Sequence, residues 1–281
     1  MLRGIYTGAS GMVAQMHRMD ALSNNLANVD LTGYKQDTPV GKAFPELFIR
    51  RMNEQITTLP LGSIDRAPVV GKLGTGVEIN EVYTVFSQGS LKETGNPFDL
   101  SLDGKGFFTV QTPDGIRYTR NGSFVISKEG LLLTKEGYPV LGDRGIIELK
   151  LNNFVVDRQG RIFQNADFAG DPERLVSMEE NAWENTEYVD TLQVVDFPEL
   201  RYLQKQGNSL WRGNDESGES FAVDLGNSTR VIQGLLEASN VNPVTEMVKM
   251  IEVNRAYELN QKVIQTHDSL AGKLINEVVR V

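Results

Sequence analysis

The C-terminal segment of the chain carries an apolar repeat with alternating steps of three and four residues. Asn242 and Pro243 precede it, a helix-capping residue followed by the residue favoured at the first helical position. A period of 3.5 residues is typical of an α-helix that packs lengthwise along another helix. The segment therefore predicts about 35 helical residues spanning roughly 50 Å. The repeat positions are Met250, Val253, Tyr257, Asn260, Ile264, His267, Ala271, Leu274, Val278 and Val281, and a flanking apolar series is Met247, Ile251, Leu259, Val263 and Leu270.

The N-terminal segment shows the same period over a shorter stretch. Turn-forming residues at 28–33 end it, which predicts about 25 helical residues, or roughly 37 Å. Helices of ordinary domains average about 11–12 residues, so we expect these two to pair and to leave apolar surface for another chain. A helical hairpin enclosed in a globular fold is the alternative. The repeat positions are Leu2, Ile5, Ala9, Met12, Met16, Met19, Ser23 and Leu26.

Residues 76–237 consist of short apolar runs separated by glycine-containing turn signals, a pattern typical of β-hairpins. Residues 37–75 contain Pro39, Pro45, Pro60 and Pro68 and predict an extended connector. We therefore predict an α+β fold in which residues 1–36 and 238–281 form a coiled-coil helical module. Residues 76–237 would form an all-β domain inserted between the two long helices. The candidate strands are 107–111, 116–120, 123–127, 131–134, 146–151, 154–157 and 191–197.

Composition narrows the possible functions. The 281 residues include no cysteine and two histidines, which argues against thiol chemistry, disulfides and Cys- or His-rich metal sites. The net charge of −9 argues against nucleic acid or an anionic membrane surface as the main partner. The sequence contains no apolar run long enough to span a membrane, and its first ten residues lack the apolar core of a secretory signal.

Three catalytic or ligand-binding hypotheses find little support in the residues. Residues 99–104 resemble part of a calcium loop, but Val110 occupies the twelfth position, where a carboxylate is required. Residues 71–76 contain glycines and Lys72 without forming a Walker loop. A glycan hydrolase would need two carboxylates in one cleft, and no spacing singles out a pair. We therefore predict no catalytic, cofactor or metal site, and interpret His17 and His267 as residues of the helical stripes.

Several motifs resemble, in order and from end to end, those of the bacterial flagellar rod and hook protein family. The N-terminal motifs are ASGM at 9–12, SNNLANV at 23–29 and TGYK at 32–35. The central motifs are SQGSL at 87–91, TGNPFD at 94–99, DGKGFF at 103–108, YTRNGSF at 118–124 and GYPVLG at 137–142. The C-terminal motifs are EASNVN at 237–242, EM at 246–247, MI at 250–251 and RAYE at 255–258.

The resemblance implies a structural axial protein of the flagellar basal body, without catalysis or cofactor. Its subunits would polymerise helically through their terminal helices into a drive shaft that transmits torque from motor to hook. The length favours a rod subunit, of distal or proximal position. A hook-type or hook-junction subunit of the same family is an alternative, and a cell-wall glycan hydrolase of the basal body is an alternative of a different class.

The resemblance also implies partners, a location and sites. The partners would be copies of this chain, other rod and hook subunits and the flagellar export apparatus, with no nucleic acid and no membrane insertion. The location would be the periplasm-spanning rod, reached through the flagellar export channel without a cleaved signal peptide. We predict subunit packing by Leu2, Ile5, Met12, Met16, Met19 and Leu26 of the first helix and by Met250, Val253, Tyr257, Ile264, Leu274 and Val278 of the second. The residues that match family motifs include Asn24, Asn25, Asn28, Gly33, Tyr34, Asn240, Asn242, Arg255 and Tyr257.

Overall fold

The computed structural model describes residues 2–52, 56–59, 62–65, 68–149, 154–165, 186–207 and 209–278. Val281 of the C-terminal repeat, Pro60 of the predicted connector and residues 150–151 of a predicted strand lie outside the described residues, as do the side chains of Leu2 and Val278. The chain forms two compact units. The first unit contains Met1–Leu26, Asp37–Tyr83 and Pro243–Val281, and the second contains Ala27–Gln36 and Thr84–Asn242.

Two long helices lie in the first unit and confirm the helices predicted from the apolar repeats. Helix α1 is Leu2–Ala27 and helix α2 is Pro243–Val278. Pro243 suits the first position of α2 because its φ is already helical and its missing N–H would have no helical partner there. Glu246 places a negative charge in the first turn, where it interacts favourably with the helix dipole.

The segment between α1 and the second unit is paired into ladders. Strand β1, Asp37–Ala43, pairs with β6, Val77–Thr84. Strand β2, Leu47–Arg50, pairs antiparallel with β5, Val69–Leu73, and β3, Ile56–Leu59, pairs with β4, Gly62–Asp65. The described residues from Asp37 to Thr84 are thus organised as three two-stranded ladders, one of which joins the predicted connector, residues 37–75, to β6 beyond it. The side chains of β2 are all exposed, so this strand contributes nothing to a buried core.

In its described residues the second unit consists of β-strands, turns and the short 3-10 helix Leu200–Tyr202, and the candidate strands predicted from the sequence overlap its observed strands. Its central sheet has six strands in the order β19-β20-β10-β9-β18-β21, with antiparallel neighbours. The strands are β7 Leu91–Glu93, β8 Leu100–Asp103, β9 Phe107–Thr112, β10 Gly115–Thr119, β11 Phe124–Ile126, β12 Leu132–Thr134, β13 Leu141–Gly142, β14 Gly145–Ile146, β15 Phe154–Val156, β16 Arg161–Asn165, β17 Thr186–Thr191, β18 Val194–Asp196, β19 Gln204–Lys205, β20 Leu210–Arg212, β21 Phe221–Ala222, β22 Arg230–Gln233 and β23 Leu235–Glu237.

Strand β9 divides the hydrophobic core of the second unit into two clusters. Its residues 107–110 are all buried, because both faces of the strand are covered. Phe108 and Val110 belong to the larger cluster, which includes Leu100, Phe124 and Ile162. Phe107, on the other face, belongs to a smaller cluster of Phe107, Val195, Phe197, Leu203 and Trp211. The fold is therefore α+β, with its main apolar core inside the β unit.

Candidate assembly surfaces

Helices α1 and α2 contact each other through glycines of α1. A β-carbon placed on Gly4 would lie 2.5 Å from Nε2 of His267, and one on Gly8 would lie 3.0 Å from Cγ1 of Ile264. A β-carbon on Gly11 would lie 2.9 Å from Nδ2 of Asn260. Because residue numbers rise along α1 as they fall along α2, the two helices are antiparallel.

Asn25 extends this register to the other end of α1. Its side chain is fully buried, and its Nδ2 donates to Glu246 Oε2 of α2 at 3.3 Å. The same amide group holds the start of β1, since Nδ2 donates to the Asp37 carbonyl and Oδ1 accepts from the Asp37 N–H, both at 2.9 Å. Lys249 donates to the buried Glu246 carboxylate at 2.7 Å. Asn25 thus joins α1, α2 and β1 by polar contacts.

Another side of α1 contacts the start of strand β6 and the residues just before it. The Ser10 hydroxyl accepts from the Val77 N–H at 3.4 Å, and the Thr7 hydroxyl donates to the Thr75 carbonyl at 3.3 Å. Gly76, with φ +150°, lies so close that a β-carbon would come within 2.5 Å of Ser10 Oγ. Helix α1 is therefore contacted by α2 and by the start of β6.

Helix α2 combines a half-buried stripe with exposed apolar and exposed polar side chains. The stripe predicted from the 3,4 repeat is half-buried from Met250 to Ala271. The flanking apolar series is 45–61% exposed: Met247, Ile251, Leu259, Val263 and Leu270. At 3.6 residues per turn, Leu259, Val263 and Leu270 lie on one side of the helix, whereas Met247 and Ile251 lie on the side of the exposed polar residues Asn254, Glu258, Gln261, Gln265 and Asp268. Within one chain, therefore, an apolar patch of Leu259, Val263 and Leu270 on α2 stays in contact with solvent.

Helix α1 also leaves apolar side chains in solvent. Tyr6, Val13 and Met16 are about half exposed or more. The other predicted packing residues with described side chains, Ile5, Met12, Met19 and Leu26, are half-buried. On α2, Met250, Val253, Tyr257 and Ile264 are half-buried and Leu274 is exposed. Of the motif residues on the helices and their ends, Asn24, Asn242 and Arg255 are exposed and Asn28 is half-buried.

The remaining motif residues surround a buried ionic cluster in the second unit. Its members are Lys35, Arg120 and Glu237, whose side chains are 1%, 6% and 1% exposed. Burial lowers the pKa of both Lys35 and Arg120, and the Glu237 carboxylate opposes that shift. The cluster was not predicted from the sequence because charged residues are almost always solvated. The available signal was that all three residues lie inside the motifs that resemble the rod and hook family.

Gly33, Tyr34 and Asn240 hold the backbone around this cluster. The Gly33 N–H donates to the Glu237 carbonyl at 2.8 Å, and the Gln36 N–H donates to Asn240 Oδ1 at 2.8 Å. Lys205 lies 4.1 Å from the centroid of the buried Tyr34 ring, a cation–π contact. The N-terminal and C-terminal motifs of the sequence therefore meet in one place.

Within the described residues, no three His, Cys, Asp or Glu side chains are grouped so that they could bind a metal ion. None of the described helices has the length and apolarity needed to cross a membrane.

Comparison with known families gives three matches along the chain. Residues 5–35 match the family described as flagella basal body rod protein, and residues 101–164 match the flagellar hook protein FlgE/F/G D1 domain. Residues 232–277 match the flagellar basal body rod FlgEFG protein C-terminal family. The matches cover α1, the middle of the β unit and α2.

Individual relatives align over nearly the whole chain. The flagellar basal-body rod protein FlgG of Buchnera aphidicola subsp. Schizaphis graminum is 34% identical over 98% of this chain and 99% of the relative. The flagellar hook-basal body complex protein FlhO of Bacillus subtilis is 34% identical over 100% of both chains. The flagellar basal-body rod protein FlgF of Caulobacter vibrioides is 31% identical over 100% of both chains. The chain therefore belongs to the family of flagellar basal-body rod proteins.

Proposed function

We propose that this structural rod subunit polymerises helically with copies of itself through its terminal helices, forming a shaft that transmits torque from motor to hook. The observation that carries the proposal is the exposed apolar face of α2 formed by Leu259, Val263 and Leu270. Monomeric soluble proteins rarely expose long contiguous apolar patches, and such patches mark interaction sites. Fully burying an aliphatic side chain contributes about 1.5–3 kcal/mol, so a neighbouring chain gains several kcal/mol by covering this face.

The two helices offer different surfaces, which favours an open polymer over a closed dimer. The exposed apolar residues of α2 are aliphatic apart from Met247, whereas those of α1 include Tyr6 and Met16. Contact between unlike surfaces of successive copies is heterologous, and when its rotation does not close it generates a helical filament. In the proposed filament, coiled-coil packing at the density of a protein interior would provide the stiffness that torque requires.

The family membership supports the wider setting of the proposal. We expect the filament to join other axial rod and hook subunits and to lie in the periplasm-spanning part of the basal body. We expect subunits to arrive through the flagellar export apparatus. Proximal and distal rod positions are both compatible with this proposal.

The test is a pair of charge substitutions on two faces of α2. We expect Leu259→Asp to abolish polymerisation, because an unpaired carboxylate buried in an apolar interface costs several kcal/mol. Gln261→Asp places the same charge on the exposed polar face and should polymerise like the wild type. Sedimentation and electron microscopy of the full chain measure assembly, and the near-ultraviolet circular dichroism of the two tryptophans, Trp183 and Trp211, reports the fold of the β unit. Normal filaments from Leu259→Asp would refute this role for the α2 face.

A further inference from the structure

The buried cluster of Lys35, Arg120 and Glu237 gathers segments that are far apart in the sequence. Lys35 lies in the segment that follows α1, and Glu237 ends β23 shortly before α2. Arg120 follows β10 of the central sheet. All three side chains are almost completely excluded from water, and all three residues belong to the second unit.

The Glu237 carboxylate uses both oxygens. Oε1 accepts from Lys35 Nζ and from the Gly89 N–H, the latter at 2.9 Å. Oε2 accepts from Arg120 Nη1 at 3.3 Å. Lys35 Nζ also donates to the Ser87 carbonyl at 2.8 Å. One carboxylate therefore connects two cations and the backbone of the loop before β7.

The charges of the cluster are balanced only in part within the three residues. Two cations face one carboxylate, and Asp196 adds a further attraction to Arg120. The second hydrogen bond of Arg120, from Nη2 to the Gly104 carbonyl at 2.7 Å, directs its positive charge to a fixed place in the β unit. Replacing a buried ionic group by apolar side chains is often neutral for stability, whereas removing a single partner is strongly destabilising. We therefore expect such a cluster to select one arrangement of its segments and to contribute little net stability.

The backbone around the cluster brings the two chain segments side by side. Asn240 donates from Nδ2 to the Val85 carbonyl at 2.8 Å, and the Val85 N–H donates to the Gln36 carbonyl at 2.8 Å. Gly33 has φ +68°, and a β-carbon there would lie 2.6 Å from backbone atoms of Arg120 and Asn121. This close approach leaves Lys35 within reach of Glu237.

We propose that Lys35, Arg120 and Glu237 are positioning residues: they form an ionic clasp that holds the segment after α1 against the segment before α2 within the β unit. The segment after α1 and the segment before α2 are thus held at one place within this unit. The clasp lies entirely in the second unit, and its formation does not depend on polymerisation.

The test compares local and global stability in the full chain. The variant Lys35→Met/Arg120→Met/Glu237→Met removes all three charges together, and Asp157→Asn breaks the exposed Asp157–Arg161 pair of the same unit as a matched control. Amide exchange measured by mass spectrometry follows residues 29–36 and 237–242, and the fluorescence of the two tryptophans of the chain, Trp183 and Trp211, follows thermal unfolding. We expect the triple variant to keep the unfolding midpoint of the wild type while protection of both segments falls at least tenfold. The control should leave that protection unchanged and lower the midpoint only slightly.

Two results would overturn the proposal. Unchanged protection in the triple variant would mean that the backbone bonds and Asn240 hold the segments without the ions. A large fall of the unfolding midpoint would mean that the cluster serves general stability. Lys35→Arg supplies a second check, because it preserves the charge and should retain protection that Lys35→Met loses.

Discussion

Replacing Gly8 by alanine tests whether α1 and α2 pack as closely as the structure shows. The new β-carbon would lie 3.0 Å from Cγ1 of Ile264, well inside the optimal carbon–carbon separation of about 3.5–4.0 Å. Overpacking of this kind costs about 1–3 kcal/mol, whereas alanine in place of glycine stabilises a helix interior by about 0.5–1 kcal/mol. We expect a net destabilisation of the helix pair of up to about 2.5 kcal/mol.

Gly272 provides the matched control because it lies in α2, and a β-carbon placed on it would have no atom within 4 Å. Gly272→Ala should therefore show only the helix-propensity gain of about 0.5–1 kcal/mol. Propensity cancels between the two variants, so their difference measures the packing cost alone. At tenfold per 1.4 kcal/mol, about 1–3 kcal/mol corresponds to a ratio of roughly 5 to 150 in the opening equilibrium.

Amide exchange of the full chain, below the concentration at which it assembles, gives the opening free energy of residues 258–266. The double variant Gly8→Ala/Ile264→Ala completes a double-mutant cycle, which measures the interaction energy of the two positions. Because alanine at position 264 leaves room for the new methyl group at position 8, we expect an interaction energy of at least about 0.5 kcal/mol. Equal stabilisation by Gly8→Ala and Gly272→Ala would refute the close packing of the two helices.

Three further predictions concern the β unit. In urea denaturation, Trp211→Ala should lower the unfolding free energy by about 3–5 kcal/mol, because the side chain is buried. Trp211→Phe should lower it clearly less, because the indole N–H has no hydrogen-bond partner among the described residues and none is therefore lost. Gly33→Ala should lower the thermal midpoint more than Gly95→Ala: both glycines have φ +68°, but only a β-carbon on Gly33 meets backbone atoms. Hydrogen bonding from Arg161 lowers the pKa of Asp157. The small stabilisation that this bond gives the folded protein is therefore complete above the unfolded pKa of about 3.9 and is lost as the pH falls through the folded pKa. Asp157→Asn should slightly reduce the dependence of unfolding free energy on pH in the acid range, and an unchanged dependence would contradict this assignment.

Periodicity was sufficient to identify the helices and the inward face of α2. The 3,4 repeat places Asn260, Ile264 and His267 on one stripe, and each of these lies against a glycine of α1. The glycines are Gly11, Gly8 and Gly4, which a search for apolar side chains cannot select. Glycine permits close packing because it has no side chain. Only the position of the opposing helix shows where that space is needed.

In the β unit, too, some features could be predicted from the sequence and others could not. Turn signals located the hairpins, such as the β9–β10 pair around Gly115, because turn conformations depend on local residue types. The pairing of β9 with β18 joins residues far apart in the chain, and no local pattern encodes it. The burial of Lys35 beside Glu237 is of the same kind, since a charge is stable inside a protein only when distant segments bring its partner.

The amino-acid sequence by itself determined the two terminal helices, the β texture between them and the family, because these rest on local period, turn chemistry and ordered motifs. The tertiary structure decided which face of α1 meets α2, which apolar face of α2 remains exposed and where the buried charges pair. These properties depend on long-range proximity, and the free energy of a close contact or an ion pair exists only after the chain has brought both partners together.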